Sequence, residues 1–254
     1  MISTEHRDFV ASLAKGMAVV RAFGKGAEYL TLSAVAERTG LDRAAARRFL
    51  LTLEALGYVG KEDKRFYLTP QVLELGFSYL SSTDWWDVAA PHMEHVARRL
   101  NQSCSAAVLH GDEIVYAARV PANRIMSVAL NLGARLPAYC TSMGRVLLAS
   151  LSPQEAHAVL EATDRTAHTK TTLTDLDALM SELETVRRQG FCFVDQELEE
   201  GLRSIAVPLV NGQGRTLASV NVSAHAGAAS EAKMASEYLP ALLDAAAQIR
   251  RRLP

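Results

Sequence analysis

The stretch LTLSAVAERTGLDRAAARRFLLTLEALGYV, residues 30–59, holds two amphipathic segments parted by one glycine, and it leaves the chain little freedom. Thr31 is placed to cap a short helix that turns Leu32, Val35 and Ala36 inward, and Gly40 supplies its left-handed stop. Leu41 crosses the turn. Asp42 then caps a second helix running to about Leu56, where Gly57 ends it. Ala36 is small enough for the two helices to approach closely. Two helices joined by a tight glycine-containing turn are a helix-turn-helix by spacing. The next segment, YVGKEDKRFYLTP, reads as strand Tyr58-Val59, charged turn Lys61 to Arg65, and strand Phe66-Tyr67-Leu68. That is the hairpin wing of a winged helix-turn-helix, with Lys61, Lys64 and Arg65 on its tip. A helix from Ser12 to about Phe23, with Leu13, Met17 and Val20 at helical spacing, precedes the pair.

On a helical wheel Ala46, Phe49, Leu50, Leu53 and Leu56 form one apolar stripe for burial. Arg43, Ala44, Arg47 and Arg48 form the opposite face of the helix's N-terminal half. Alone, such a face is as readily a solvated one. In a helix-turn-helix, however, the N-terminal part of the second helix enters the major groove. Arginine forks reach guanine O6 and N7 or phosphates, and alanines keep the helix thin. Lys61, Lys64 and Arg65 on the wing would track nearby phosphates. Charge permits this reading: residues 1–70 carry 11 Lys and Arg against 8 Asp and Glu, the remainder 16 against 20. Double-stranded operator DNA is the expected partner.

Thr69 and Pro70 open the segment QVLELGFSYL, apolar nearly all round, which reads as a linker helix packing on its own copy in a dimer. SSTD (81–84) is the expected hinge. The expected domains are a winged helix-turn-helix over 1–69, linker helix and hinge over 70–84, and a second, larger domain over 85–254. In the last, helices are expected near 85–100, 142–150, 153–161, 175–189 and 231–252. Strands are expected at SAAVLHG, EIVYAARV, IMSVALN, FCFVD, SIAVPLV and TLASVNVSA, with hairpins at HGDE and NGQGR. This is an α+β class, an antiparallel sheet flanked by helices. No apolar run suits a membrane span, and the N-terminus lacks the apolar core of a signal peptide. Cys104, Cys140 and Cys192 form no CxxC, so a reduced, cytoplasmic compartment is expected.

In RLPAYCTSMGRVLLASL an extended segment runs into a helix opening near Ser142. Free amides of Ser142, Met143 and Gly144 at such a helix start suit a carboxylate, and Thr141 or Ser142 adds a hydroxyl; an ordinary capped helix is the competing reading. Met126, Leu130, Leu136 and Tyr139 have the bulk to wall an aromatic ring, or to be core. Arg124, Arg135 and Arg203 could each meet a carboxylate or remain surface residues, and His225 could meet a phenol.

SLAKGMAVVRAFG, the 30–59 stretch and RFYLTPQVLELG together resemble the N-terminal module of the IclR family of bacterial transcriptional regulators. LPAYCTSMGRVLLAS and DQELEEGLRSIAVPL extend the likeness to the second domain. Within the family, DEIVYAARVP, RIMSV and NVSAHA look most like the Pca/Pob-type regulators, which control breakdown of aromatic acids through the β-ketoadipate pathway. The resemblance implies a GAF-like effector domain, a homodimer or dimer of dimers, a small aromatic or keto acid as effector, and no cofactor. It adds Asp195, Ser204, Asn221 and Ser223 to the lining formed by Tyr139, Thr141, Ser142, Met143 and Gly144. Several family members have cysteine at the position of Ser204, and either Asp195 or Val194 faces the site.

Enzyme readings compete poorly. CTSMG has Cys140 where a G-x-S-x-G elbow needs glycine, and Cys140 is a nucleophile only by default. His92 and His95 stand one turn apart as a two-ligand metal corner without a third ligand. A dimerising scaffold without a sensor is the remaining class.

Overall fold

Thr31 Oγ1 accepts the Ala34 amide and opens α2 (Leu32–Thr39), which Gly40 ends at φ +66°. Asp42 accepts the Ala45 amide and opens α3 (Arg43–Ala55). With α1 (Ala11–Arg21) and the hairpin β2 (Val59–Glu62) and β3 (Arg65–Leu68), these helices enclose one core of Val19, Val35, Ala36, Ala46, Leu50, Val59 and Phe66. A short strand absent from the sequence expectation, β1 (Leu30–Thr31), pairs with β3 and gives a sheet of order β1-β3-β2. This computed structural model describes residues 6–82, 85–122 and 131–253. Contacts divide the chain into Met1–Ser82 and Thr83–Pro254.

Three expectations for the first unit change. Leu13, Met17 and Leu56 are 67%, 41% and 56% exposed, so the apolar stripe of α1 and the end of the α3 stripe reach solvent rather than core. Lys61 and Arg65 sit within the strands, paired with Phe66 and Glu62, and leave Lys64 at the turn. The Lys61 ammonium lies 5.8 Å from the Phe66 ring centre and the Arg65 guanidinium 5.2 Å from that of Tyr29. The linker begins as one 3-10 turn (Pro70–Val72), capped by Thr69, and continues as α4 (Leu73–Ser81). Leu73, Leu75, Phe77 and Tyr79 of this segment are exposed.

The second unit is built on a six-stranded antiparallel sheet, order β6-β5-β4-β9-β8-β7. Its strands are β4 (Ser103–His110), β5 (Glu113–Val120), β6 (Arg135–Pro137), β7 (Cys192–Asp195), β8 (Leu202–Val210) and β9 (Thr216–His225). On one face lies α5 (Trp85–Leu100) with the C-terminal helix. On the other lie α6 (Ser142–Ala149), α7 (Pro153–Ala162) and α8 (Leu176–Gln189). Alternation along β9 serves both faces. Ala218, Val220, Val222 and Ala224 pack towards α5, and Asn221 and Ser223 turn towards α6. The C-terminal helix is not continuous. It runs as α9 (Glu231–Lys233), a π turn (Met234–Tyr238) and α10 (Leu239–Arg250). Pro240 has no N–H to offer the Ser236 carbonyl, so the regular ladder fails there and a wider turn absorbs the fault. Arg124, Met126 and Leu130, and with them nearly all of the expected strand IMSVALN, lie outside the described residues.

Candidate DNA-reading surface and effector pocket

Arg43, Ala44, Arg47 and Arg48 are exposed on the first two turns of α3. Among the described residues none of the three arginines makes an ion pair. The cap of this helix uses the short Asp42 side chain before the first arginine, so the helix start presents cations with no acid inside its first turn. Exposed Lys61, Lys64 and Arg65 lie on the neighbouring hairpin.

In the second unit a cavity of about 270 Å³ opens between the sheet and the start of α6, just under the roughly 300–1,000 Å³ of ordinary ligand sites. Its polar floor comes from three adjacent strands. Ser105 on β4 stands opposite Asn221 on β9, and Ser223 on β9 stands opposite both Ser103 on β4 and Ser204 on β8. Asn221 Nδ2 donates to Ser223 Oγ at 3.1 Å, and Ser103 Oγ accepts the Ala122 amide at 3.1 Å. Leu136, Met143, Val194, Leu198 and Leu202 form apolar walls, with Tyr116 at one side. Burial pushes the Tyr116 phenol up to about 12, so it stays a neutral donor. Among the described lining residues Arg119 is the cation and Glu199 the anion.

Of the nine residues expected here, Thr141, Met143, Ser204, Asn221 and Ser223 line the cavity and four do not. Strand parity decides between neighbours on β7: Val194 faces in. Asp195 faces out and holds Arg203 by two bonds of 2.7 and 3.0 Å. Ser142 turns about 100° past Thr141 on the helix and is buried, its Oγ without a partner among the described residues. Tyr139 points its hydroxyl at the Thr166 carbonyl and stacks on His168. Gly144 serves packing, not ligand approach: a Cβ there would lie 2.2 Å from the Ala138 carbonyl oxygen. Thr141 caps α6 by accepting the Gly144 amide, so only Ser142 and Met143 keep helix-start donors. Arg135 pairs with Glu113, and His225 Nδ1 accepts the Gly227 amide; neither lines the cavity. Ser103, Ser105, Tyr116, Arg119, Leu198, Glu199 and Leu202 were not anticipated.

A buried ion pair braces the cavity wall from behind. Arg145 Nη1 and Nη2 donate to the Glu197 carboxylate at 2.7 and 2.6 Å, and its Nε donates to the Tyr139 carbonyl at 2.7 Å. Glu197 Oε2 also accepts the Leu173 amide at 2.8 Å. The pair thereby ties the segment carrying Tyr139, Cys140 and Thr141 to the loop beyond β7.

Comparison with known proteins decides the family. The profile described as bacterial transcriptional regulator IclR C-terminal matches residues 77–251, and that of the IclR helix-turn-helix domain matches residues 12–63. The chain belongs to the IclR family. This IclR regulator is 43% identical to the Pca regulon regulatory protein of Pseudomonas putida, over 97% of this chain and 85% of that one. It is 36% identical to the p-hydroxybenzoate hydroxylase transcriptional activator of Acinetobacter baylyi, over 96% and 92% of the two chains. Among solved structures, an IclR homolog from Microbacterium hydrocarbonoxydans complexed with 4-hydroxybenzoate superposes with TM-score 0.82 at 26% identity, covering 94% of this chain and 98% of that one.

An IclR regulator is not an enzyme, and the enzyme readings fall with that. Burial pushes the Cys140 thiol up to about 11, away from a nucleophilic thiolate. His92 and His95 share their cleft with Asp244, and also with Arg98, Arg99 and Arg252, whose three positive charges make it a poor setting for a metal cation. Burial and then Arg252 lower the His92 pKa.

Proposed function

We propose that this IclR regulator reads operator DNA with Arg43, Ala44, Arg47 and Arg48 and steadies it with Lys61, Lys64 and Arg65. We further propose that a small aromatic carboxylic acid in the cavity of the second unit controls that grip. The observation that carries the effector reading is the set of small polar side chains at Ser103, Ser105, Ser204, Asn221 and Ser223, beside Arg119, within apolar walls. Such a surface offers a ring its flanks, a hydroxyl its partners and a carboxylate its counter-charge. The names of the Pseudomonas and Acinetobacter relatives and the 4-hydroxybenzoate complex support the same ligand class. The exposed apolar residues of α1 and α4 support a homodimer or dimer of dimers. The working compartment is the cytoplasm; no described helix is long and apolar enough to cross a membrane.

Titration calorimetry and thermal melts with 4-hydroxybenzoate, protocatechuate and β-ketoadipate test the effector reading. A binder present at a hundred times its dissociation constant stabilises the fold by roughly 2.7 kcal/mol. Arg119→Gln is expected to remove most of the affinity for the acid that binds. No stabilisation by any of the three overturns the reading, and so does turnover of the acid. In gel shifts Arg43→Ala and Arg47→Ala are expected to lose operator affinity with acid binding intact. Wild-type operator binding by both variants overturns the DNA-reading surface.

A further inference from the structure

A second cleft, of about 290 Å³, lies between α1 and α3. Ser12 and Lys15 line it from α1, and Ala45, Arg48 and Thr52 from α3, over the Phe49 ring. Two cations and two hydroxyl side chains face this space, and among the described residues no acidic side chain lines it. Lys15 and Arg48 are both exposed, and neither makes an ion pair with any described residue. The Thr52 hydroxyl spends its hydrogen on the Arg48 carbonyl at 2.9 Å, which leaves the Ser12 hydroxyl as the free donor of the pair. Two like charges beside one cleft repel each other, and an anion seated between them relieves that repulsion.

Position on the helix gives that anion a source. With Arg43 as zero, Arg47 stands about 40° round α3, Ala44 about 100° and Arg48 about 140°. Arg48 therefore heads for the α1 flank and joins Lys15, and Arg43 and Arg47 occupy the other flank, with only a methyl group between. A helix lying in a major groove about 12 Å wide meets phosphates along its flanks.

We propose that this cleft seats one backbone phosphate of bound DNA, with Lys15 and Arg48 on its oxygens and the Ser12 hydroxyl as a third donor. The inference rests on α3 being the DNA-reading helix. It adds that Lys15, outside the helix-turn-helix, holds DNA, and it narrows the reading set given above: Arg48 grips a phosphate from the same helix face and carries no sequence information. Base reading falls to Arg43 and Arg47.

The test is fluorescence anisotropy with two duplexes across about 50–200 mM salt. One is an operator selected from a random pool by the wild-type chain; the other is its scrambled sequence. Lys15→Gln and Arg48→Gln are expected to weaken both duplexes by the same factor. The double variant is expected to lower the salt slope by about 0.9 for each half-site bound, the share of one neutralised phosphate per protomer, and to lose less than the two singles combined. Replacing phosphates one at a time with neutral methylphosphonate is expected to find, in each half-site, one position where wild type and double variant bind alike. An unchanged salt slope, or the lack of such a position, overturns the phosphate seat. A loss by Arg48→Gln on the operator alone overturns its sequence-blind role. Failure of the underlying reading looks different: Arg43→Gln and Arg47→Gln would then bind the operator like wild type.

Discussion

Glu197→Gln is a nearly isosteric change that removes a charge and little else, and the geometry around it sets the cost. The side chains of Arg145 and Glu197 are only 3% and 10% exposed. Burial is the largest influence and opposes the Arg145 charge, but the Glu197 hydrogen bonds together with the charge attraction of its neighbours, Glu197 and Glu182 among them, outweigh it, so the guanidinium stays protonated with its pKa raised. The amide in Gln would turn one N–H towards a guanidinium donor and strand the cation. Breaking a buried pair this way costs about 3–5 kcal/mol. In a unit of this size each kcal/mol moves the melting midpoint by about 2–4 °C, so the expected drop is about 6–20 °C. The assay is simple because both tryptophans, Trp85 and Trp86, sit in α5, and their fluorescence follows the second unit alone. Arg145→Met with Glu197→Leu is the control, since replacing both charges with apolar groups is often close to neutral. A midpoint for Glu197→Gln within about 2 °C of wild type would refute the stranded-charge argument. A double variant as unstable as the single would assign the loss to packing instead.

Gly144→Ala is expected to destabilise the second unit by about 1–3 kcal/mol or more, because its Cβ meets Ala138 backbone at 2.2–2.6 Å; a wild-type denaturation midpoint contradicts this. Arg203 beside Asp195 holds that carboxyl below its ordinary value. A depressed folded-state pKa contributes stability above the unfolded value of about 3.9 and loses it as pH falls through the folded one. Asp195→Asn is therefore expected to flatten the stability profile below about pH 4, and an unchanged acid slope counts against the pair. The Cys140 thiol, raised to about 11 by burial, is expected to alkylate slowly at about pH 8 and faster towards its pKa, with bound acid slowing it further. Rapid labelling by iodoacetamide at the lower pH contradicts that protection.

The helix-turn-helix was legible because each of its boundaries has a chemical cause written in one residue: Thr31, Gly40 and Asp42. β1 was not, because two residues carry no period and Leu30 takes its place from β3 across the sheet. Leu13, Met17 and Leu56 show why a stripe is only half an answer: periodicity marks an apolar face without naming what covers it. In the pocket the same limit appears as parity. Helix identity placed residues 139–144, and the family resemblance residues 194–195, in the right neighbourhood, but a step of one residue turns the side chain away, as it does at Ser142 and Asp195. The missed serines had a signal. Ser103 and Ser105 alternate with Cys104 and Ala106, as Asn221 and Ser223 do with Val220 and Val222. Polar residues on the second buried face of a sheet need partners, and a ligand is one kind of partner.

The floor of the pocket also bears on how such a regulator divides its positions between folding and recognition. Its polar contacts are short side chains on three hydrogen-bonded strands, while the apolar core of the sheet hangs from the alternate positions. Exchanging Ser105 or Ser204 for cysteine, threonine or alanine would change the size and polarity of that floor at positions whose side chains face away from the apolar core on the opposite face. If the proposed effector sits there, its fit rests on side chains that the apolar core does not use, so the demands of recognition and of folding fall on separate sets of positions.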